Sequence, residues 1–447
     1  VKFRRASGQA GNKLANHHDR RFSVTSTAAD EGQRAMFHRR DFLKTTLAGS
    51  GLVAASLTAP RFLARTAAAT PSLGTRGARE TILVVVQLTG GNDGLNTVIP
   101  FKDPLYARYR PTLKQPVSAI RKLSDEIGLH PELSSLADLY HDGLVGIVQG
   151  VGYPNPSQSH FRSMDIWHAG STAEHLAEGW LGKALARMTT GAGGFHLALA
   201  NEASPLALAG APARVPSLTS LADFQIRLPA GSGAERRQQR QVLEKALSAP
   251  AASPLLDFVK QTAVSTLAQT DRLRELARDY QPKAAYPATP LAERLKLAAQ
   301  LIVAEVNARI FYVTLDGFDT HAGQAGLHGP LLRELGDAIK AFVLDMTAQG
   351  HGDRLLLMTF SEFGRRAKEN GSQGTDHGSA APMFLVGKNV RSGLIGPHPR
   401  LDRLEDGNLA HHTDFRQVYA AILEQWLGVK SSEVLDGSFT PLAVLRS

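Results

Sequence analysis

The chain has 447 residues, 43% hydrophobic and 20% charged, with no cysteine. That composition excludes disorder throughout, and the absence of thiols excludes disulfides, thiolate metal sites and a cysteine nucleophile. The net charge of +9 sits at the start: residues 1–69 hold 12 of the Lys and Arg and 4 of the Asp and Glu, which leaves 38 against 37 for the rest. The body is close to neutral, so a nucleic-acid partner has no electrostatic support and none is expected. No run of about 18 apolar residues occurs, so no permanent membrane anchor is expected either.

Residues 1–35 are polar and lack helical or strand periodicity, which predicts a disordered segment or an over-early start. His38, Arg39, Arg40, Asp41, Phe42, Leu43 and Lys44 then place two arginines ahead of a weakly apolar stretch, residues 47–59, and a small-residue exit at Ala67, Ala68 and Ala69. Over residues 36–69 this order resembles a twin-arginine export signal. It implies the twin-arginine translocation machinery as a partner, cleavage near Ala69, and a periplasmic or secreted mature protein. That route carries folded proteins and is often used when a metal is inserted before export, which directs attention to metal ligands in the body.

From about residue 75 to 447, short apolar runs recur at residues 81–88, 144–149, 195–200, 309–315, 354–360 and 382–386. Their apolar character is continuous rather than alternating, as expected of strands buried on both faces. Helical spacing lies between them, clearest at residues 131–141, 329–347 and 414–427. The alternation predicts an α/β domain with a mostly parallel sheet sandwiched between helices. Residues from about 234 to 306 carry i, i+3, i+4 apolar spacing and no strand candidate, which predicts a helical insertion or cap.

Polar residues follow these strands. Gly90-Gly91-Asn92-Asp93-Gly94 follows the first, Ser157-Gln158-Ser159-His160 the second, Asp316-Gly317-Phe318-Asp319-Thr320-His321 the fourth, and Ser361-Glu362-Phe363-Gly364-Arg365 the fifth. Thr375-Asp376-His377-Gly378 precedes the sixth. In an open parallel sheet the carboxyl ends of the strands line one edge, where ligands bind. Carboxylates and imidazoles gathered there suit zinc, manganese or magnesium.

These motifs, with Thr413-Asp414-Phe415-Arg416 and the leader, together resemble the exported bacterial family known as domain of unknown function fifteen-oh-one, within the alkaline phosphatase-like superfamily that includes sulfatases. The resemblance implies an alkaline phosphatase/sulfatase-like fold. It also implies one or two divalent ions (zinc, manganese, magnesium or calcium) on Asp93, Asp319, His321, Glu362 and His377, with Asp316 as an alternative partner. Ser159 would be the nucleophile, with Ser157 as competitor and His160 in the catalytic set. Arg365 or Arg162 would neutralise oxygens of a small anionic ester. Glu362 is followed by Phe363 where the superfamily usually has histidine, which by the resemblance leaves one ion short of a ligand. The expected function is an exported metal-dependent hydrolase or transferase of phosphate or sulfate esters; the alternative is a non-catalytic binding or assembly protein that keeps the fold.

Overall fold

The computed structural model describes residues 80–188, 192–199, 202–212, 215–220, isolated positions between 234 and 247, and residues 279–446. The export leader, the segment before it and most of the expected insertion at 234–306 lie outside the described residues. No helix among the described residues is long and apolar enough to cross a membrane.

The domain is built on a nine-stranded sheet. Its strands are β1 (Ile82–Leu88), β2 (Val145–Gly152), β3 (Gly193–Leu197), β4 (Ser217–Leu218), β5 (Ala308–Leu315), β6 (Leu355–Phe360), β7 (Ala381–Val386), β8 (Gly393–Ile395) and β9 (Thr413–Asp414). They lie in the order β8, β2, β7, β6, β1, β5, β3, β4, with β9 also pairing β2. β1 is central and parallel to both neighbours, with Leu88 opposite Leu315 of β5 and Gln87 opposite Phe360 of β6. Only β7 reverses, running antiparallel to β2 and β6. The fold is thus α/β with a mixed, mostly parallel sheet between helices.

Alternate residues of β1 face opposite layers, since side chains on a strand point up and down in turn. Ile82, Val84, Val86 and Leu88 join one core with helices α1 (Ser134–His141), α4 (Pro290–Val303) and α5 (Gln324–Ala348). Leu83 and Val85 join the other with α2 (His160–Ala169), α3 (Trp180–Arg187) and α6 (Phe415–Ala421). Burying each such aliphatic side chain contributes roughly 1.5–3 kcal/mol, which explains the continuous apolar runs. In the second core Trp167 stacks on Phe415 at 4.3 Å and on Phe360 at 5.6 Å, tying α2 to the sheet and to α6.

The reversal of β7 positions the site. Its amino end lies where the other strands have their carboxyl ends, so His377, which precedes β7, reaches the same edge as residues that follow β1, β2, β5 and β6. Helix α5 also begins five residues before the periodic pattern, at Gln324, and runs through Pro330. The added turn delivers Gln324 and His328 to that edge.

Candidate metal centre

Backbone conformation brings the strand exits together first. Gly90 and Gly91 have φ of +114° and +79°, values that favour glycine. A Cβ on Gly90 would lie 2.3 Å from the Asp319 amide nitrogen, so no side chain fits between these turns. Phe318, fully buried, anchors the turn that presents Asp319 and His321. His160 opens α2, and an isolated antiparallel bridge pairs Arg365 with His377.

The ligand-type atoms of His160, Asp319 and His377 all lie within 4.8 Å of one another. His321 joins from the other side. Its Nε2 is 2.8 Å from His377 Nε2 and 3.1 Å from Asp319 Oδ1, which in turn is 3.2 Å from His377 Nε2. His160 Nε2 is 3.4 Å from the second oxygen, Asp319 Oδ2.

The far side of each imidazole shows what those nitrogens carry. His160 Nδ1 donates to Glu362 Oε1 at 2.9 Å, and His377 Nδ1 donates to the Gln158 carbonyl at 2.7 Å. Carboxylate and carbonyl oxygens only accept, so both rings carry their proton on Nδ1 and present the Nε2 lone pair inward. His321 Nδ1 lies 3.4 Å from Asp376 Oδ1. With His377 Nε2 bare, the 2.8 Å contact calls for either a proton on His321 Nε2, as in an ordinary hydrogen bond, or a cation among the three atoms. Ligand–metal distances of about 2.0–2.1 Å give octahedral to tetrahedral edges of roughly 2.8–3.4 Å, a range that contains the triangle's 2.8, 3.1 and 3.2 Å.

Surrounding charges tune the group. Burial raises the Asp319 carboxyl, but the hydrogen bond and charge of Arg365 bring it below the usual range, so it stays ionised. The hydrogen bond to Glu362 raises His160, whereas burial lowers His377.

Several expected site residues do other work. Glu362 is fully buried and its oxygens accept from the Gly90 amide at 2.8 Å, from His160, and from Ser361 Oγ at 3.2 Å. It is the outer partner that orients His160, as carboxylates do behind metal-bound histidines. Asp93 stands apart from the group. It forms a fully buried, two-pronged ion pair with Arg110, accepts from Gln324, and caps the helix Gly94–Thr97. Arg365, also buried, donates to the carbonyls of Gly90, Gly91, Phe318 and Thr375 and to Asp319 at 2.7 Å. It clamps the turns together, with the hydrogens of Nε and Nη2 all committed to protein acceptors. Asp316 bonds the next amide, that of Gly317, at 2.8 Å, and Arg162 holds the carbonyls of Thr172, Ala173 and Glu174. Ser157 Oγ accepts from the Ser159 amide at 3.3 Å. Ser159 is exposed, and as N-cap of α2 it makes no side-chain cap bond.

Gln324, Asp376, Arg110 and the Gln158 carbonyl were not foreseen as parts of the site. Asp376 could have been found from its place beside His377. The others depend on packing between segments that are remote in sequence.

A histidine-rich group on the carboxyl edge of an α/β sheet is the class that fold and site define. The family model described as "Protein of unknown function (DUF1501)" matches residues 145–435, and the chain belongs to that family. The match spans every member of the four-residue group and leaves Asp93 outside. No curated protein matches the chain. Similar solved structures include the PsFucS1 sulfatase from Pseudoalteromonas sp., at 11% identity over 88% of this chain and 77% of that one, with a TM-score of 0.36. The alkaline phosphatase from the Antarctic bacterium TAB5 has 11% identity over 69% and 92%, with a TM-score of 0.31. The lipoteichoic acid synthase LtaP from Listeria monocytogenes has 9% identity over 83% and 77%, with a TM-score of 0.33. Likeness at these scores is loose, and the chemistry has to be read from this chain's own side chains.

Proposed function

We propose that the chain is a metal-dependent hydrolase or transferase of phosphate or sulfate esters, with His160, His321, His377 and Asp319 holding one divalent ion and Ser159 as nucleophile. The observation that carries this reading is the triangle of His321 Nε2, His377 Nε2 and Asp319 Oδ1, three ligand-type atoms 2.8–3.2 Å apart. Three imidazoles and one carboxylate favour zinc, manganese or another transition ion over calcium and magnesium. An ion held there supplies Lewis-acid charge that stabilises an attacking oxygen and a tetrahedral anion. Glu362 and the Gln158 carbonyl fix the Nδ1–H tautomer of the neutral His160 and His377 rings, so that each turns Nε2 inward. Ser159 offers an exposed hydroxyl, unused in capping, one residue from His160. Its oxygen would bond to phosphorus or sulfur as the ester oxygen leaves, and water would then release the acid.

Metal analysis of purified protein, followed by aryl phosphate and sulfate assays with each added ion, tests this. About one ion per chain, turnover that needs it, and a loss of roughly a thousandfold in Ser159→Ala with metal retained are expected. Absence of bound ion, or full turnover by Ser159→Ala, would sink the assignment.

A second reading draws on the commitment of Asp93 and Glu362 to other partners, which leaves donors for one ion rather than two. On it the protein is a non-catalytic binding or assembly component with one structural ion, and bound metal without turnover of any ester would favour it. Export by the twin-arginine machinery belongs to either reading. The double variant Arg39→Lys, Arg40→Lys should keep folded protein in the cytoplasm, and its normal appearance outside would refute the address.

A further inference from the structure

Behind the metal-ligand group, and hidden from solvent, lies a side chain that touches both ligand-bearing turns. Gln324 is 1% exposed and opens α5. Its Oε1 accepts from Thr320 Oγ1 at 3.0 Å and from Thr375 Oγ1 at 2.7 Å. Its Nε2 donates to Asp93 Oδ2, within the buried ion pair with Arg110. The orientation of the amide follows from chemistry: an ionised carboxylate only accepts, so the NH2 must face Asp93 and the carbonyl must face the two hydroxyls. Burial alone raises the Asp93 carboxyl, but Arg110 holds it at about 2, with help from Gln324 and His328, so that acceptor is always present.

Thr320 sits between Asp319 and His321, and Thr375 lies two residues before His377. A backbone bond from the Thr375 amide to the Thr320 carbonyl, 3.1 Å, joins the same turns. The Gln324 amide reaches the Gln373 carbonyl at 2.9 Å and the Gly323 amide reaches Ser372 at 3.0 Å, so the start of α5 is stitched along the His377 turn. One carboxamide therefore references both turns to a rigid internal ion pair.

We propose that Gln324 is a positioning residue of the metal centre: by accepting from Thr320 and Thr375 while anchored on Asp93, it sets the separation between Asp319 with His321 on one turn and His377 on the other. This rests on the reading of those residues as ligands. Gln324 touches neither ion nor substrate; it acts through the two threonines. Outer partners of this kind commonly change metal affinity by about 10–100-fold when removed.

Cobalt(II) is the probe, because its visible absorption reports ligand geometry independently of turnover. In the full chain, Gln324→Met keeps the length of the side chain and removes both ends of the bridge. The pair Thr320→Val with Thr375→Val removes only the two donors and leaves Asp93 its partners. Each is expected to raise the cobalt dissociation constant about 10–100-fold and to shift the visible bands at saturating cobalt. Combining all three changes should cost little more than Gln324→Met alone, since the same bonds are lost. Wild-type affinity and bands in a folded threonine pair would overturn the proposal, as would full additivity of the three changes. A purely structural role would lower apo-protein stability and leave both readouts unmoved. If the wild type itself takes up no cobalt, zinc or manganese, the metal reading fails first and the proposal with it.

Discussion

His160 and Asp93 show how much a side chain's role depends on what stands behind it. The Glu362 carboxylate, through its hydrogen bond, raises His160 above the ordinary imidazole value, so protons compete with metal there at higher pH than usual. Glu362→Gln should weaken metal binding at pH 8 by about 10–100-fold, because the ring loses its orienting acceptor. The pH at which proton competition begins to weaken binding should also move downward, because the variant's imidazole protonates less readily. Metal titrations from pH 8 to pH 5 check both, and an unchanged release profile would remove Glu362 from its outer role. Asp93 is the contrary case: burial pushes its carboxyl up and Arg110 brings it to about 2 against an ordinary 3.8. A depressed value contributes stability above the unfolded value, here about 2 kcal/mol, which is lost as pH falls from about 4 through 2. Asp93→Asn should cost more, about 3–5 kcal/mol at neutral pH, since the amide also turns donors toward a buried guanidinium. Denaturant midpoints would show that penalty shrinking in acid. Loss of metal without loss of stability would instead return Asp93 to the ligands.

At the scale of elements, the strands were legible because burial on both faces leaves an uninterrupted apolar run, and each run expected in residues 81–88, 309–315 and 354–360 forms a strand within one residue of those limits. The polar tails of these strands were legible for the complementary reason that a sheet edge is where the apolar pattern stops. The reversal of β7 was not legible, because a short buried run reads alike in either direction. Nor was the division of labour among the acids. Asp93 and Asp319 both follow Gly-containing turns, and only Arg110 and Arg365, 17 and 46 residues further on, separate a buried ion pair from a half-exposed carboxylate. Helix α2 gives this scale its test. A serine N-cap replaced by alanine ordinarily costs about 0.5–2 kcal/mol through the lost bond to an amide, but Ser159 makes no such bond. Ser159→Ala should therefore change the unfolding free energy by less than about 0.5 kcal/mol. A larger destabilisation, measured by urea unfolding, would mean that the hydroxyl caps the helix after all.

Taken over the whole domain, the four inward-facing residues come from three separate stretches: the start of α2 after β2, the turn after β5, and the turn before β7. Apart from the clamp of Arg365 and the bridge of Gln324, these stretches converge on imidazoles that a proton or a cation must join. An ion held there as proposed would bind the folded arrangement in preference to the unfolded chain, and would stabilise the domain by an amount set by its free concentration. At a hundredfold excess over its dissociation constant the gain is about 2.7 kcal/mol, and for a domain of this size each 1 kcal/mol moves the thermal midpoint by roughly 2–4 °C or less. Zinc or manganese should thus raise the midpoint by several degrees, a chelator should reverse the rise, and calcium or magnesium at the same concentration should do much less. The rise should shrink markedly in His321→Ala and His377→Ala, which remove two corners of the triangle. It should persist in Asp93→Asn, on a lower baseline, because that carboxylate belongs to the interior. Calorimetry of these three variants with and without metal separates a centre held across the sheet edge from adventitious binding to surface histidines: equal shifts in all of them would mean that the ion sits elsewhere.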